Sequence, residues 1–175
     1  HTGDQITLDL PFIDQDGQPT SLGSILAQDN KPALLSIVYY GCPNLCNLHL
    51  DGVVASLKDV KWTAGRDFHL IAISLDPSET PDQASAKRDH YMTQYGRAGI
   101  KSGWHFLTGK EDSIKKITQQ LGFSYRWNSD ENQWAHSSSA YIITPKGLIS
   151  RSLPGISFDA QTLKMGILEA SNNKI

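Results

Sequence analysis

The only two cysteines of the chain, Cys42 and Cys46, lie in the stretch YYGCPNLCNLHLDG at residues 39–52. Three residues separate them, so in a helical turn their side chains would share one face, with Cα atoms about 6 Å apart. A disulfide can close over that distance, and two thiolates at that spacing can also hold one metal ion. Two inert buried thiols are a third possibility, but they have no reason to cluster beside Gly41 and Pro43. The spacing alone leaves the redox and metal hypotheses open.

A metal site needs further ligands, and His136 is the best candidate among the six histidines. It lies shortly before the apolar pattern SAYIITPKG, in a predicted loop that leads into a core strand and could lie beside the cysteine loop. The other histidines fit structural or solvated positions better, because they begin or end strand patterns, lie mid-helix, or lead away from the loop. These are His1, His49, His69, His90 and His105.

Three short apolar runs predict strands that are buried on both faces. They are PALLSIVYYG, FHLIAISL and SAYIITPKG, each bounded by Pro, Gly or charged residues. Two hairpins are also expected: an N-terminal one turning at Asp16 and Gly17, and one around NSDEN that carries the chain to His136. The aromatic residues near this second hairpin are expected to be mostly core, with the remainder forming an apolar rim for a partner.

Helices are predicted between the strands. One follows Pro43, because Leu50, Val53, Val54, Leu57 and Val60 recur at helical spacing. A second has a capping box of Thr80 with Gln83 and stops at Gly96, and a third has a box of Thr108 with Glu111 and ends at Gly122. A last helix is expected from about Asp159 to Ala170.

This alternation predicts one α/β domain over residues 1–175, a sandwich with a mixed central sheet. The loop GCPNLC leaves the carboxyl end of a central strand and enters a helix. Sites are common at such loops, and the partial positive charge of a helix N-terminus favours thiolate. The sequence therefore predicts that the cysteines form a reactive or metal-binding site there.

Composition excludes some partners. The net charge is −2, with no run of either sign, which indicates neither a nucleic-acid footprint nor a polybasic membrane patch. No apolar run approaches the roughly 20 residues that span a bilayer. The sequence begins at His1 without methionine, which is typical of a trimmed or processed chain, in which a signal peptide or anchor would no longer be visible.

The chain resembles the SCO/SenC family of thioredoxin-fold copper proteins that serve cytochrome c oxidase assembly. The resemblance runs nearly end to end, through DQDGQPTSL, YYGCPNLC, ISLDPSETP, LTGKEDSIKKITQQLGF and the histidine ahead of YIITPKG. It implies a thioredoxin-like fold and one copper ion, Cu(I) or Cu(II), on Cys42, Cys46 and His136. It also implies that the two thiols can cycle to a disulfide.

The ligand set agrees with this resemblance, because two thiolates and an imidazole suit copper, whereas a structural zinc site would need a fourth protein ligand. The chain departs from the family at Ala135, where relatives often carry an acidic residue before the metal-binding histidine. Orientation of the imidazole must then come from elsewhere, and Asp76 of the LDP turn is the candidate. A local turn role for Asp76 is an equally good interpretation.

The resemblance implies a monomeric metallochaperone, or a dedicated thiol-disulfide reductase, for the binuclear copper centre of the oxidase. Its expected partner is a copper-accepting oxidase subunit or another copper chaperone, in the periplasm or an equivalent space, with no turnover of a small substrate. The resemblance also implies a membrane tether in the full-length protein. Alternatives are a general thiol-disulfide oxidoreductase or a redox or copper sensor. General reductases of this fold carry a proline before the core strand, where this chain reads AHSSSAYI.

Overall fold

The computed structural model describes residues 1–41 and 47–175. Its centre is a five-stranded mixed sheet in the order β5-β4-β3-β8-β9. These strands are β3 (Ala33–Val38), β4 (His69–Ser74), β5 (Trp104–Leu107), β8 (Ser139–Ile143) and β9 (Ile149–Pro154). β3, β4 and β5 are parallel, whereas β8 is antiparallel to both β3 and β9. The predicted α/β sandwich with a mixed central sheet is confirmed.

Helices cover both faces of this sheet. α2 (Asn47–Leu57), α3 (Pro81–Tyr95) and α5 (Ala160–Ser171) pack on one face, while α1 (Leu22–Leu26) and α4 (Glu111–Leu121) pack on the other. Strand residues alternate between the two cores: Leu34 and Leu70 face the first, and Leu35 and Ile71 face the second. Both faces of the central strands are therefore buried, as their unbroken apolar runs predict.

Two small hairpins flank the main sheet. β1 (Phe12–Ile13) pairs with β2 (Pro19–Thr20), and β6 (Tyr125–Asn128) pairs with β7 (Gln133–His136). The predicted N-terminal hairpin is confirmed. The second hairpin is also present, but His136 is its last strand residue rather than part of a loop beyond it.

Of the two predicted capping boxes, the structure contains the one at α3 but not the one at α4. Thr80 and Gln83 form the predicted capping box of α3, and Gly96 ends that helix at φ 72°. α4 instead begins at Glu111 with Lys110 as N-cap and no side-chain capping bond. Thr108 cannot cap it, because its backbone exchanges two hydrogen bonds with Ile13, of 2.8 and 2.9 Å. The chain is thus still paired with the N-terminal hairpin where the sequence predicted a helix start.

The chain before β1 is also fixed to the sheet. The amide of Gly3 donates to Ile149 O at 2.7 Å, and the amide of Ile6 donates to Gly147 O at 3.0 Å. Gly147 lies in the turn between β8 and β9, and Ile149 is the first residue of β9, so both come after Ile143, where β8 ends. The first residues therefore lie at the end of β8 opposite Ser139.

Candidate functional site

The candidate site lies where β3 and β4 end. After the end of β3 the chain continues through Tyr39 and Tyr40 to Gly41, and α2 begins at Asn47. Cys42 and Cys46 fall between these points, outside the described residues, so their role as metal ligands and redox pair stays a prediction. The described chain on either side can nevertheless be compared with the position of His136.

His136 lies against the strand that leads to the cysteines. Its ring meets the ring of Tyr39 edge-on, with centroids 5.8 Å apart, and it stacks on Phe123 at 6.0 Å. Tyr39 is three residues before Cys42. The fold thus brings the third predicted ligand, from a separate hairpin, next to the chain that enters the cysteine segment.

One ring nitrogen of His136 is fixed as a donor. Nδ1 lies 2.6 Å from the carbonyl oxygen of Ser137, and because a carbonyl can only accept, Nδ1 carries the proton. In the neutral ring Nε2 then holds a lone pair, and no hydrogen-bond partner for it is found within the described part of the chain. Metal-binding histidines commonly have this arrangement, in which the second nitrogen donates to a carbonyl or carboxylate.

Asp76 supports the hairpin that carries His136. Its Oδ2 accepts a hydrogen bond from the indole Nε1 of Trp134 at 3.1 Å. Its Oδ1 accepts from the amide and the hydroxyl of Ser78, at 2.9 and 2.7 Å. Within the described residues none of its hydrogen bonds runs to His136, whose orientation comes from the Ser137 carbonyl and the two aromatic rings. Asp76 is therefore both a local turn residue and an anchor for β7.

Glu79 is a residue of this region that sequence reasoning missed. Its side chain is buried, and Oε1 accepts hydrogen bonds from the amide of Tyr40 at 2.7 Å and the hydroxyl of Ser74 at 2.5 Å. Oε2 accepts from the amide of Gly41 at 2.6 Å. Only its place in the LDPSETP segment, three residues after Asp76, could have drawn attention to it.

His49 is close to the candidate site, but its ring is already engaged. Nε2 lies 3.0 Å from the Ser36 hydroxyl and Nδ1 lies 3.2 Å from Gly155 O, and the residue is 2% exposed. Burial lowers the pKa of His49, and the nearby His136 acts in the same direction. A buried neutral imidazole with both nitrogens bonded fixes α2 to β3, in agreement with the structural role predicted for it.

The remaining histidines of strands and helices lie elsewhere. His69 and His105 are buried neighbours with facing ring nitrogens 3.0 Å apart, and His69 Nε2 lies 2.8 Å from Asp29. His69 is the first residue of β4 and His105 the second of β5, so they lie near the amino-terminal ends of these parallel strands, away from the candidate site. His90 is exposed on α3. Within residues 1–41 and 47–175, no group of three or more His, Asp or Glu side chains is arranged to hold a metal.

The aromatic residues around the site divide between core and surface. Tyr39, Tyr40 and Phe123 are buried, whereas Trp127 is 48% exposed and packs edge-on against Trp134, with ring centroids 5.3 Å apart. A shallow pocket of about 250 Å³ lies between β3, the β4–α3 turn and the hairpin. No helix in the described part of the chain is both long and apolar enough to cross a membrane.

Sequence comparison identifies one family. The SCO1/SenC family model matches residues 2–170. The SCO1 protein homolog of Bacillus subtilis is 24% identical over 151 residues, which cover 83% of this chain and 72% of that protein. Protein sco1 of Schizosaccharomyces pombe is 26% identical over 134 residues, 71% of this chain and 48% of that protein. The aligned region thus spans about half of the yeast relative.

Solved structures share the fold. Arabidopsis thaliana ScoI with copper bound aligns with a TM-score of 0.72 at 20% identity and covers 99% of both chains. A SCO1/SenC family lipoprotein from Bacillus anthracis aligns with a TM-score of 0.77 at 18% identity, over 97% of this chain and 96% of that one. BsSco, in which a disulfide switch was identified, aligns with a TM-score of 0.68 at 22% identity over 98% of both. The thioredoxin-like fold class is confirmed.

Proposed function

Because this chain belongs to the SCO1/SenC family, we propose that it binds one copper ion and serves the assembly of the binuclear copper centre of a cytochrome c oxidase. Copper is bound in the related Arabidopsis structure, and BsSco is described as a member of a family of cytochrome c oxidase assembly proteins. The proposed ligands in this chain are Cys42, Cys46 and His136, with the two thiols also acting as a redox pair.

The observation that carries this proposal is the state of the His136 ring. Its Nδ1 donates a hydrogen bond to the Ser137 carbonyl oxygen. Nε2, which carries the lone pair, is therefore the proposed metal-binding atom. The ring contact with Tyr39 supports the same assignment, because Tyr39 lies three residues before Cys42. A neutral imidazole in this tautomer and orientation needs no rearrangement before Nε2 binds copper.

The donor set favours copper over the commoner alternative. Two thiolates and one imidazole are soft to borderline ligands, in the number that Cu(I) accepts, and Cu(II) can add a water or other oxygen donor. Structural zinc sites use four protein ligands. The described residues around His136 offer no cluster that supplies the fourth. We therefore assign copper as the cargo of this site.

Two tasks at the oxidase are compatible with this site. In delivery, the protein gives copper to a subunit whose own ligands replace Cys42, Cys46 and His136. In reduction, a Cys42 or Cys46 thiolate attacks a disulfide of the oxidase subunit, and the remaining thiolate resolves the mixed disulfide. Two electrons then pass to the partner, and the pair becomes a disulfide. Both tasks fit an extracytoplasmic, membrane-anchored protein, which the lipoprotein relative from Bacillus anthracis supports.

Metal reconstitution tests the proposal. The reduced protein is titrated with Cu(I), Cu(II) and Zn²⁺ separately, and each product is analysed for stoichiometry and absorption. We expect one copper per chain and sulfur-to-metal charge-transfer bands in the Cu(II) form. A protein that retains zinc in preference to copper, or retains neither metal after desalting, would contradict the copper assignment.

A further inference from the structure

The Glu79 carboxylate joins three parts of the fold at the point where the chain enters the cysteine segment. It accepts hydrogen bonds from Tyr40 and Gly41 at the end of β3, and from Ser74 at the end of β4. Its own backbone immediately precedes Thr80, the N-cap of α3. One side chain therefore ties the last described residue before Cys42 to the neighbouring strand and helix.

These hydrogen bonds require a carboxylate rather than any polar side chain. All three partners are donors, and only an ionised carboxyl group presents two oxygens with no hydrogen of its own. Among the described residues, no Lys, Arg or His nitrogen forms a salt bridge with Glu79, so its charge is balanced by these donors. A glutamine in its place would point an amide N–H at one of the two backbone amides.

Glu79 also lies close to the buried Tyr40 and to Gly41. Burial raises the pKa of Tyr40 well above its ordinary value, and the charge of Glu79 acts in the same direction. A Cβ placed on Gly41 would lie 3.1 Å from Glu79 Oε2. A side chain at position 41 would therefore press on the carboxylate, which a glycine avoids.

We propose that Glu79 is a positioning residue for the copper site. It fixes the backbone of Tyr40 and Gly41, the last two described residues before the proposed ligand Cys42. The ring of His136 contacts Tyr39, the residue before Tyr40. The short stretch that Glu79 holds therefore lies next to both proposed ligands in question: it precedes Cys42 in sequence and adjoins the residue that His136 contacts. This inference rests on the proposed copper function, and it assigns to that site a residue that does not touch the metal.

The central test compares Glu79→Gln with the parent protein. We expect about tenfold weaker Cu(I) binding, measured by competition with a chromophoric chelator, since loss of a group that orients a ligand commonly costs 10- to 100-fold in affinity. The charge-transfer bands of the Cu(II) form should also shift. Glu79→Asp, which keeps the charge on a shorter side chain, should recover part of the affinity.

Two control variants separate positioning from general stability. Ser74→Ala removes one hydrogen bond of Glu79 but leaves both backbone amides paired. Ser150→Ala removes a buried hydrogen bond to Lys174 O, at the end of β9 away from the site. Thermal unfolding is recorded for every variant. Ser150→Ala should keep the parent's Cu(I) affinity and Cu(II) spectrum, even where its unfolding temperature falls as far as that of Glu79→Gln. Ser74→Ala, which removes one of the three hydrogen bonds of Glu79, should weaken Cu(I) binding less than Glu79→Gln does.

A second measurement needs no metal, so it stays informative if the copper proposal fails. The midpoint potential of the Cys42–Cys46 pair is determined without copper, by thiol alkylation in defined redox buffers. Glu79→Gln should shift this midpoint relative to the parent. If Glu79→Gln proves unfolded, Gly41→Ala probes the same contact, because its Cβ presses on Oε2 without removing the charge. Parent-like values for Cu(I) affinity, Cu(II) spectrum and midpoint would overturn the inference.

Discussion

The indole N–H of Trp134 donates a hydrogen bond to Asp76, with 3.1 Å between Nε1 and Oδ2. This contact joins the β6–β7 hairpin to the turn after β4, two residues before His136 on the same strand. The hairpin is not part of the five-stranded sheet. This hydrogen bond, the ring contact of His136 with Tyr39 and the stacking of His136 on Phe123 therefore contribute to its attachment.

Asp76→Ala should loosen the hairpin. The change leaves the half-buried Trp134 indole without its acceptor and removes the turn hydrogen bonds to Ser78, so we expect a loss of about 1–2 kcal/mol in the free energy of unfolding. Urea denaturation measures this loss. Trp134→Phe is the matched control for Cu(II) binding: it loses the same hydrogen bond but keeps the turn, and it should perturb the Cu(II) spectrum similarly. If the Asp76→Ala spectrum is perturbed and that of Trp134→Phe is not, the anchor role is wrong.

Single substitutions should show that His136, and not another histidine, is the third copper ligand. Cys42→Ser or Cys46→Ser is expected to lose most Cu(I) affinity, because a hydroxyl replaces a thiolate ligand. His136→Ala should weaken binding and change the Cu(II) spectrum. His90→Ala on the exposed face of α3 is the control, and His49→Ala tests a buried structural histidine; both should keep the site once folding has been verified. Parent-like binding by His136→Ala would show that the third ligand is misassigned.

Copper should stabilise the reduced form of the cysteine pair. A disulfide between Cys42 and Cys46 removes both sulfurs from the ligand set, so by linkage copper shifts the pair toward the dithiol. The midpoint potential should rise by about 30 mV for each tenfold excess of free Cu(I) over the dissociation constant. Alkylation-based redox titrations at several buffered Cu(I) activities measure the midpoint. A value that stays constant through saturation would mean that the metal does not use both thiolates.

Reduction of a nonspecific disulfide should be slow. The chain lacks a proline at AHSSSAYI, and His136 in β7 precedes that core strand instead. In an insulin-precipitation assay with dithiothreitol, we therefore expect a rate close to the uncatalysed one, with selectivity kept for a partner protein. Cys42→Ser provides the background. Rapid turnover of insulin by the parent would favour the general oxidoreductase hypothesis over the chaperone proposal.

Acid should destabilise the protein partly through His105. Burial, and next the neighbouring His69, lower the pKa of His105 from 6.5 to about 4. Below about pH 6.5 the unfolded chain binds a proton that the folded chain excludes, so stability falls until the pH reaches about 4. The loss is at most about 3 kcal/mol. Urea titrations between about pH 7 and about pH 4.5 should give a smaller change for His105→Gln than for the parent.

The well-predicted elements are those with a strong local signal. The strands β3, β4 and β8 are long apolar runs, and α3 combines Pro81 with a capping box and a terminal Gly96. β9 was missed because it is an edge strand whose second half is polar and partly exposed. The Thr108 box was wrong because tertiary pairing with Ile13 overrides a local capping pattern.

The sequence could predict candidate ligands from the chemistry of their side chains, but not the residues that support them. Cysteine spacing, together with a histidine ahead of a core strand, sufficed to nominate Cys42, Cys46 and His136. Glu79 could not be nominated, because its role depends on backbone amides 39 and 38 positions earlier that only the folded chain brings to it. The sequence also could not predict which ring nitrogen of His136 carries the proton. That depends on the direction of the Ser137 carbonyl, which no side-chain pattern encodes.

The backbone pairing of the first residues fixes how the domain would be presented on a surface. Gly3 and Ile6 are bonded beyond the end of β8, while His136 lies just before its start, and five extended residues between them span roughly 17 Å. Any support attached ahead of His1, whether a bead, a fused domain or a lipid, would meet the far end of the sheet. The edge that carries His136 and Trp127 would then point outward, where a second protein can approach it without obstruction.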